Sequence, residues 1–126
     1  MTKNRFEQLA IEALENLPSF FKEKLDNVDV VVEDWPENHI ARGRPALPAG
    51  RLLLGLYQGV PKTKRGAGYT MALPDKITIF KGPIELVGRG NEESIKRIVI
   101  DTVAHEIAHH FGISDEKLRE LKNKRD

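Results

Sequence analysis

The chain contains no cysteine, so a disulfide framework and any thiolate metal site are excluded. A zinc site in this chain would have to use histidine and carboxylate ligands. The charge is not dominated by one sign either, because 20 basic and 19 acidic residues leave a formal net charge of +1. This balance gives the chain no general attraction to nucleic acid, and we expect no nucleic-acid partner.

Long hydrophobic runs are also missing. The longest of them, residues 52–57, is far too short to span a bilayer. The N-terminal segment has the pattern of a charged amphipathic helix and lacks that of a signal peptide. We therefore predict a cytoplasmic protein with no membrane partner. A length of 126 residues with ordinary composition predicts one domain over residues 1–126.

Apolar periodicity predicts helices at both ends of the chain and strands between them. Two helices open the chain, and Asn4 with Glu7 resembles a capping box at the start of the first. Alternating and β-branched residues predict three strands, and Gly55 in the second suggests a bulge. The predicted strands fall within residues 27–36, 51–60 and 75–86. The order of elements indicates a small α+β domain, with a mainly three-stranded sheet packed on helices.

The last third of the chain has helical spacing and clear boundary signals. Asn91 or Ser94 could cap a long helix, and Gly112 is suited to end it in a left-handed conformation. Ser114 can then cap a short final helix. These signals predict a sharp bend between two helices near the C-terminus.

The long helix carries an H-E-x-x-H motif at residues 105–109. His105 and His109 are four residues apart, so a helix places both imidazoles on one face, where they can bind one cation. Glu106 is rotated away from that face but can reach a water on the cation. Asp115, just beyond the Gly112 bend, can supply the third ligand that two histidines need. Glu116 or a water could take that place instead, and the sequence leaves the choice open.

This residue set predicts a hydrolytic zinc site holding one Zn²⁺. Zinc would activate a water molecule for attack, and Glu106 would act as general base and pass the proton to the leaving amine. The predicted activity is therefore hydrolysis of peptide bonds by a zinc metallopeptidase, with peptide or unfolded protein as substrate. His110 points to another side of the helix, and we expect it to pack beside the site and not to bind the metal.

The motif resembles the extended zinc-site pattern of metzincins, H-E-x-x-H-x-x-G-x-x-H, with Asp115 in the last position. The whole chain is similar to the minimal zincin-like metallopeptidases, small bacterial proteins of about this length. The segments that carry the likeness lie at residues 25–36, 53–66, 73–85 and 105–115. The resemblance implies a zincin-like core, a zinc ion and a peptidase role, without a known substrate.

Two departures from the metzincin pattern keep other functions open. Both methionines, Met1 and Met71, precede the zinc-site motif, so no methionine turn follows it, and only 11 residues follow Asp115. A shortened cleft would suit a non-catalytic domain that binds a metal or a peptide. The spacing also resembles H-G-x-x-H-x-x-G-x-D-H metal-dependent ribonucleases, for which the basic run at residues 61–65 could contact phosphate. Two histidines and a carboxylate would also suit non-haem iron.

Substrate recognition can be predicted only in part. In zincins, an edge strand near the metal binds extended peptide by adding it to the sheet. We predict that Ile77 to Phe80 form such an edge. Tyr57 and Tyr69 are candidates to donate a hydrogen bond to an oxyanion, although no spacing selects either. The oligomeric state is not predictable from the sequence.

Overall fold

The structure is a computed structural model that describes residues 1–36, 53–59 and 74–123. In these ranges two helices are followed by three strands and three further helices. They are α1 (Lys3–Glu15), α2 (Ser19–Lys24), β1 (Val28–Glu33), β2 (Gly55–Gln58), β3 (Asp75–Phe80), α3 (Lys81–Gly88), α4 (Glu92–His110) and α5 (Asp115–Asn123). This confirms the predicted α+β class. Across these same ranges, no helix is long and apolar enough to cross a membrane.

The three strands form one mixed sheet with β3 in the centre. β1 pairs with β3 in parallel, and β2 pairs with β3 antiparallel. The prediction that Ile77 to Phe80 form an edge is therefore wrong. All four residues of that stretch are buried, as expected for a central strand covered on both faces. Within the described residues, β2 is the edge strand that lies beside α4.

The predicted strand at residues 75–86 is wrong in its second half. The strand ends at Phe80, and α3 begins at Lys81. Pro83 is tolerated there because the first turn of a helix leaves its N–H groups without intrahelical partners. Gly82 lets the Trp35 ring lie against this turn, since a Cβ at Gly82 would come within 2.3 Å of the ring atom Cε2.

The core lies between α4, α1 and the inner face of the sheet, and α4 contacts every other described helix. Its largest fully buried side chains are Phe6, Leu9, Phe21, Ile77, Ile79, Ile84, Ile95, Val99, Val103 and Ile107. Burying an aliphatic or aromatic side chain of this size stabilises the fold by about 1.5–3 kcal/mol. The apolar face of α4 is therefore held firmly, and its opposite face is left to carry polar groups.

The first helix starts earlier than predicted and is tied to α4 by an ion pair. Its cap is Thr2, whose Oγ1 accepts a hydrogen bond from the Arg5 N–H at 3.1 Å, so the Asn4 capping box is wrong. The Arg5 guanidinium donates to both carboxylate oxygens of Glu92, at 2.8 and 2.5 Å. This hydrogen bonding from Arg5 lowers the pKa of Glu92 below its ordinary value. It also fixes the first turn of α4 against α1.

Gly55 brings the edge strand into close contact with α4. The strand pairs with β3 in regular register there, so the predicted bulge is wrong. A Cβ at Gly55 would lie 2.6 Å from Thr102 Cγ2 and 3.1 Å from the Thr78 carbonyl oxygen. The glycine is therefore required by the packing distance between β2 and α4, and this distance sets how near β2 comes to the motif residues.

We expect Gly55→Ala to destabilise the fold by about 1–3 kcal/mol, because the added methyl forces the strand and helix apart. Combining it with Thr102→Ser, which removes the nearest clashing atom, should recover part of that loss. Chemical denaturation of the two single variants and the double variant measures this coupling. Strictly additive effects would show that Gly55 does not act through its contact with Thr102.

Candidate metal centre

Helix α4 presents His105 and His109 on its exposed side, one turn apart. Their ring centroids are 4.1 Å apart, with an angle of 62° between the ring planes. The helix is capped by Asn91, whose Oδ1 accepts a hydrogen bond from the Ser94 N–H at 2.9 Å. Of the two predicted caps, Asn91 is thus the one used. The buried face of α4 holds the helix in place, so the two imidazoles share a rigid base.

The bend after α4 has the hydrogen bonds of a Schellman motif. Gly112 has a φ of +69°, its N–H donates to the His109 carbonyl at 3.2 Å, and the Ile113 N–H donates to the Ala108 carbonyl at 2.8 Å. Ser114 then caps α5, since its Oγ accepts a hydrogen bond from the Lys117 N–H at 3.2 Å. Both predicted boundaries are confirmed. They make Asp115 the first residue of α5, directly after the bend.

We expect Gly112→Ala to destabilise the fold by about 1–2 kcal/mol, because a left-handed conformation is costly for a residue with a Cβ. Apart from its two chain neighbours, no described residue has an atom within 4 Å of the position that this Cβ would take, so the expected cost comes from backbone conformation. Gly112→Asn should lose less, since asparagine tolerates this conformation better. Thermal unfolding without metal measures both values. Equal stability of the parent and the alanine variant would contradict the argument.

The bend brings the Asp115 carboxylate to the two imidazoles. One potential ligand atom from each of His105, His109 and Asp115 lies within 4.8 Å of the others, and all three side chains are exposed. Glu116, the alternative third ligand, is not part of this group. The structure thus joins the three residues that the sequence proposed, while their binding of a metal stays a prediction.

The donor set is compatible with zinc. Bonds of about 2.1 Å in a tetrahedral site place two donors about 3.4 Å apart. The ligand atoms lie within 4.8 Å of one another, so rotamer changes of these exposed side chains would have to shorten a separation by up to about 1.4 Å. Two imidazole nitrogens and one carboxylate oxygen are a common catalytic zinc set, which leaves one position for water or substrate.

Glu106 lies outside this donor group and is turned toward the edge strand. Its side chain is half-buried, and Oε1 accepts a hydrogen bond from the Tyr57 backbone N–H at 3.0 Å. Among the described residues no hydrogen bond to Oε2 is present. The carboxylate is therefore held between helix and strand, one residue along the chain from His105.

His110 stacks on the Tyr57 ring and is not part of the donor group, as its predicted packing role implies. The ring centroids are 4.0 Å apart, and the planes are within 15° of parallel.

The Tyr57 hydroxyl donates to Asp75 Oδ2 at 2.7 Å, so the predicted oxyanion role for Tyr57 is not supported. Tyr69 and the basic run at 61–65 lie outside the described residues. Asp75 could not be identified as a site residue from the sequence, because an acidic residue at the start of a strand has no distinctive pattern.

Comparison with known protein families agrees with this geometry. The family model for zincin-like metallopeptidases matches residues 25–125. The match includes the sheet, α4 and the group of donor side chains. The chain belongs to the zincin-like metallopeptidase family. A search of the curated proteins found no sequence that matches it.

Proposed function

We propose that this protein is a zinc-dependent peptidase that hydrolyses peptide bonds in short or unfolded chains. The proposal depends on one observation. His105, His109 and Asp115 lie close together, and Glu106 on the same helix as the two histidines is hydrogen-bonded to the edge strand. Family membership supports the same class of activity. The proposal assigns each of these side chains a separate task.

His105, His109 and Asp115 would hold one zinc ion. When bound, zinc supplies a Lewis acid that polarises a carbonyl oxygen and brings the pKa of water close to neutrality. The protein contributes the fixed geometry, since two ligands share one turn of α4 and the third follows a hydrogen-bonded bend. Little reorganisation is then needed when the site is loaded.

Glu106 would act as general base and then as general acid. One carboxylate oxygen is held by the Tyr57 N–H, and the other can accept a proton from the attacking water. The same oxygen can return this proton to the nitrogen of the leaving amine. A positioned acid–base group of this kind contributes about 10²–10⁴-fold to a reaction rate.

The substrate would lie along β2, the edge strand next to the site. An extended peptide can add to a sheet edge through main-chain hydrogen bonds, which hold many different sequences. Since the Tyr57 N–H donates to Glu106 and not to β3, the side of β2 that is turned away from β3 faces α4 and its motif residues. A peptide on this edge would pass the polar side of α4 where the ligands lie.

Metal analysis combined with a peptide-library digest tests the proposal. We expect about one zinc per chain, cleavage of several extended peptides, loss of cleavage with a chelator and its return with zinc. Stoichiometric zinc with no cleavage would favour the non-catalytic binding domain. Cleavage of RNA in a parallel reaction would favour the ribonuclease, and iron in protein purified without added metal would favour an iron site. Absence of any bound metal would overturn the proposal.

A further inference from the structure

Tyr57 connects three elements at the candidate site through three different interactions. Its backbone N–H donates to Glu106 on α4, and its ring stacks on His110 of the same helix. Its hydroxyl donates to Asp75 at the start of β3. One residue of the edge strand therefore contacts the proposed general base, the end of the motif helix and the central strand.

The two contacts with α4 are linked by helix geometry. Glu106 and His110 are four residues apart, so their side chains lie on the same face of α4, one turn from each other. Tyr57 spans that turn, with its backbone on one residue and its ring on the next. A displacement of the Tyr57 backbone away from α4 would disturb both the stacking on His110 and the hydrogen bond to Glu106 Oε1.

The Tyr57 ring is restrained at its hydroxyl and on one face. Asp75 fixes the hydroxyl at 2.7 Å, and His110 covers the face of the ring. Gly59 lies beside both partners of the ring, since a Cβ there would be at van der Waals distance from each, 3.5 Å from His110 Cε1 and 3.7 Å from Asp75 Oδ1. His110 is itself exposed, so its stacking on Tyr57 does little to fill the core.

We infer that Tyr57, clamped between Asp75 and His110, positions the Glu106 carboxylate for proton transfer. The inference rests on the proposed peptidase function for its effect on rate. His110 is then a positioning residue that acts through Tyr57 and is not a metal ligand. Displacing a reacting group by about 1 Å can cost up to about 100-fold in rate, so a partial loss of this clamp should be measurable.

The first test compares His110→Ala with His110→Phe, which keeps a ring to stack on Tyr57. We expect the alanine variant to lower kcat about 10-fold, with KM and zinc affinity within about 2-fold of the parent. The phenylalanine variant should return kcat to within about 2-fold of the parent. Leu86→Ala, a truncation of an exposed side chain on α3, serves as the control for unspecific effects. Equal defects in both His110 variants, or a parallel fall in zinc affinity, would overturn the inference.

The second test needs neither substrate nor metal. The NMR signal of the Tyr57 amide proton should lie downfield and exchange slowly in the parent, because a carboxylate accepts its hydrogen bond. Both features should be lost in Glu106→Ala, weakened in His110→Ala and kept in His110→Phe. A Tyr57 amide that does not respond to Glu106→Ala would refute the clamp. If the amide responds as expected but the parent cleaves no peptide, the peptidase proposal fails while the contact network stands.

Discussion

Glu106→Gln is expected to keep zinc at the parent level and to lose about 10³-fold or more in kcat/KM for peptide hydrolysis. Glutamine has nearly the same shape, and its carbonyl oxygen can still accept the hydrogen bond from the Tyr57 N–H. It cannot take up a proton from water at neutral pH, so the acid–base contribution of about 10²–10⁴-fold is removed. Steady-state kinetics and metal analysis on the same preparation measure both quantities.

Glu93→Gln is the matched control for this experiment. It makes the same chemical change on the same helix, at an exposed carboxylate in the first turn of α4 that pairs only with nearby Lys96 at 3.2 Å among the described residues. We expect its kcat/KM to stay within about 2-fold of the parent. If Glu106→Gln cleaves peptide within 10-fold of the parent rate, Glu106 is not the general base. If it loses zinc as well, its role is structural.

Near the C-terminus, the sequence predicted the features that depend on local chemistry, whereas the Asn4 cap of the first helix was wrong. Gly112 ends α4, Ser114 caps α5, and the spacing of the two motif histidines places their rings together. Each of these results depends on residues within one or two turns of each other. Helix periodicity and end signals act over that range, so a single sequence contains enough information for them.

Sheet order and strand limits were predicted less well, because they depend on distant residues. The stretch from Asp75 to Phe80 has strand character, but nothing local shows that it pairs on both sides and lies in the centre. The following segment contains Gly82 and Pro83, which look like a break in a strand and instead lie in the first turn of α3. The edge strand approaches the motif helix closely at Gly55 and Thr102, two residues that lie 47 positions apart in the sequence.

The site shows the same division between local and distant information. His105, His109 and Asp115 could be proposed from spacing, since they lie on one helix and just after it. The Tyr57 N–H that holds Glu106 comes from a residue 49 positions away, so no periodicity could indicate it. The local motif defines the chemistry that is available, and the long-range packing of β2 on α4 sets how the proposed general base is oriented.

Helix α4 packs in the core, contacts the edge strand and carries the candidate metal ligands, because each of its faces carries different residues. One side, with Ile95, Val99 and Val103, is fully buried in the core and fixes the helix. A second line of side chains, Thr102, Glu106 and His110, contacts the edge strand. A third, with His105 and His109, is exposed and meets Asp115. The close approach of β2 at Gly55 therefore brings the edge strand to the line with Glu106 and leaves His105 and His109 exposed.

Removal of Asp115, the proposed third ligand, should have the next largest effect. We expect Asp115→Ala to weaken zinc binding about 100-fold or more, because two imidazoles alone do not complete a stable zinc site. A 100-fold change in affinity corresponds to about 2.7 kcal/mol. Competition with a coloured chelator measures the affinity, and we expect peptide hydrolysis to fall in parallel when zinc is not saturating.

Glu116→Ala separates ligation from helix stability. Both substitutions remove one exposed carboxylate from the first turn of α5, where each acid contributes about 0.3–1 kcal/mol through the helix dipole. The two variants should therefore unfold alike without metal. At a zinc concentration 100 times the parent Kd, binding should stabilise the parent and Glu116→Ala by about 2.7 kcal/mol, but Asp115→Ala by only about 0.4 kcal/mol. The opposite order would make Glu116 the third ligand, and equal stabilisation of both variants would mean that neither carboxylate binds the ion.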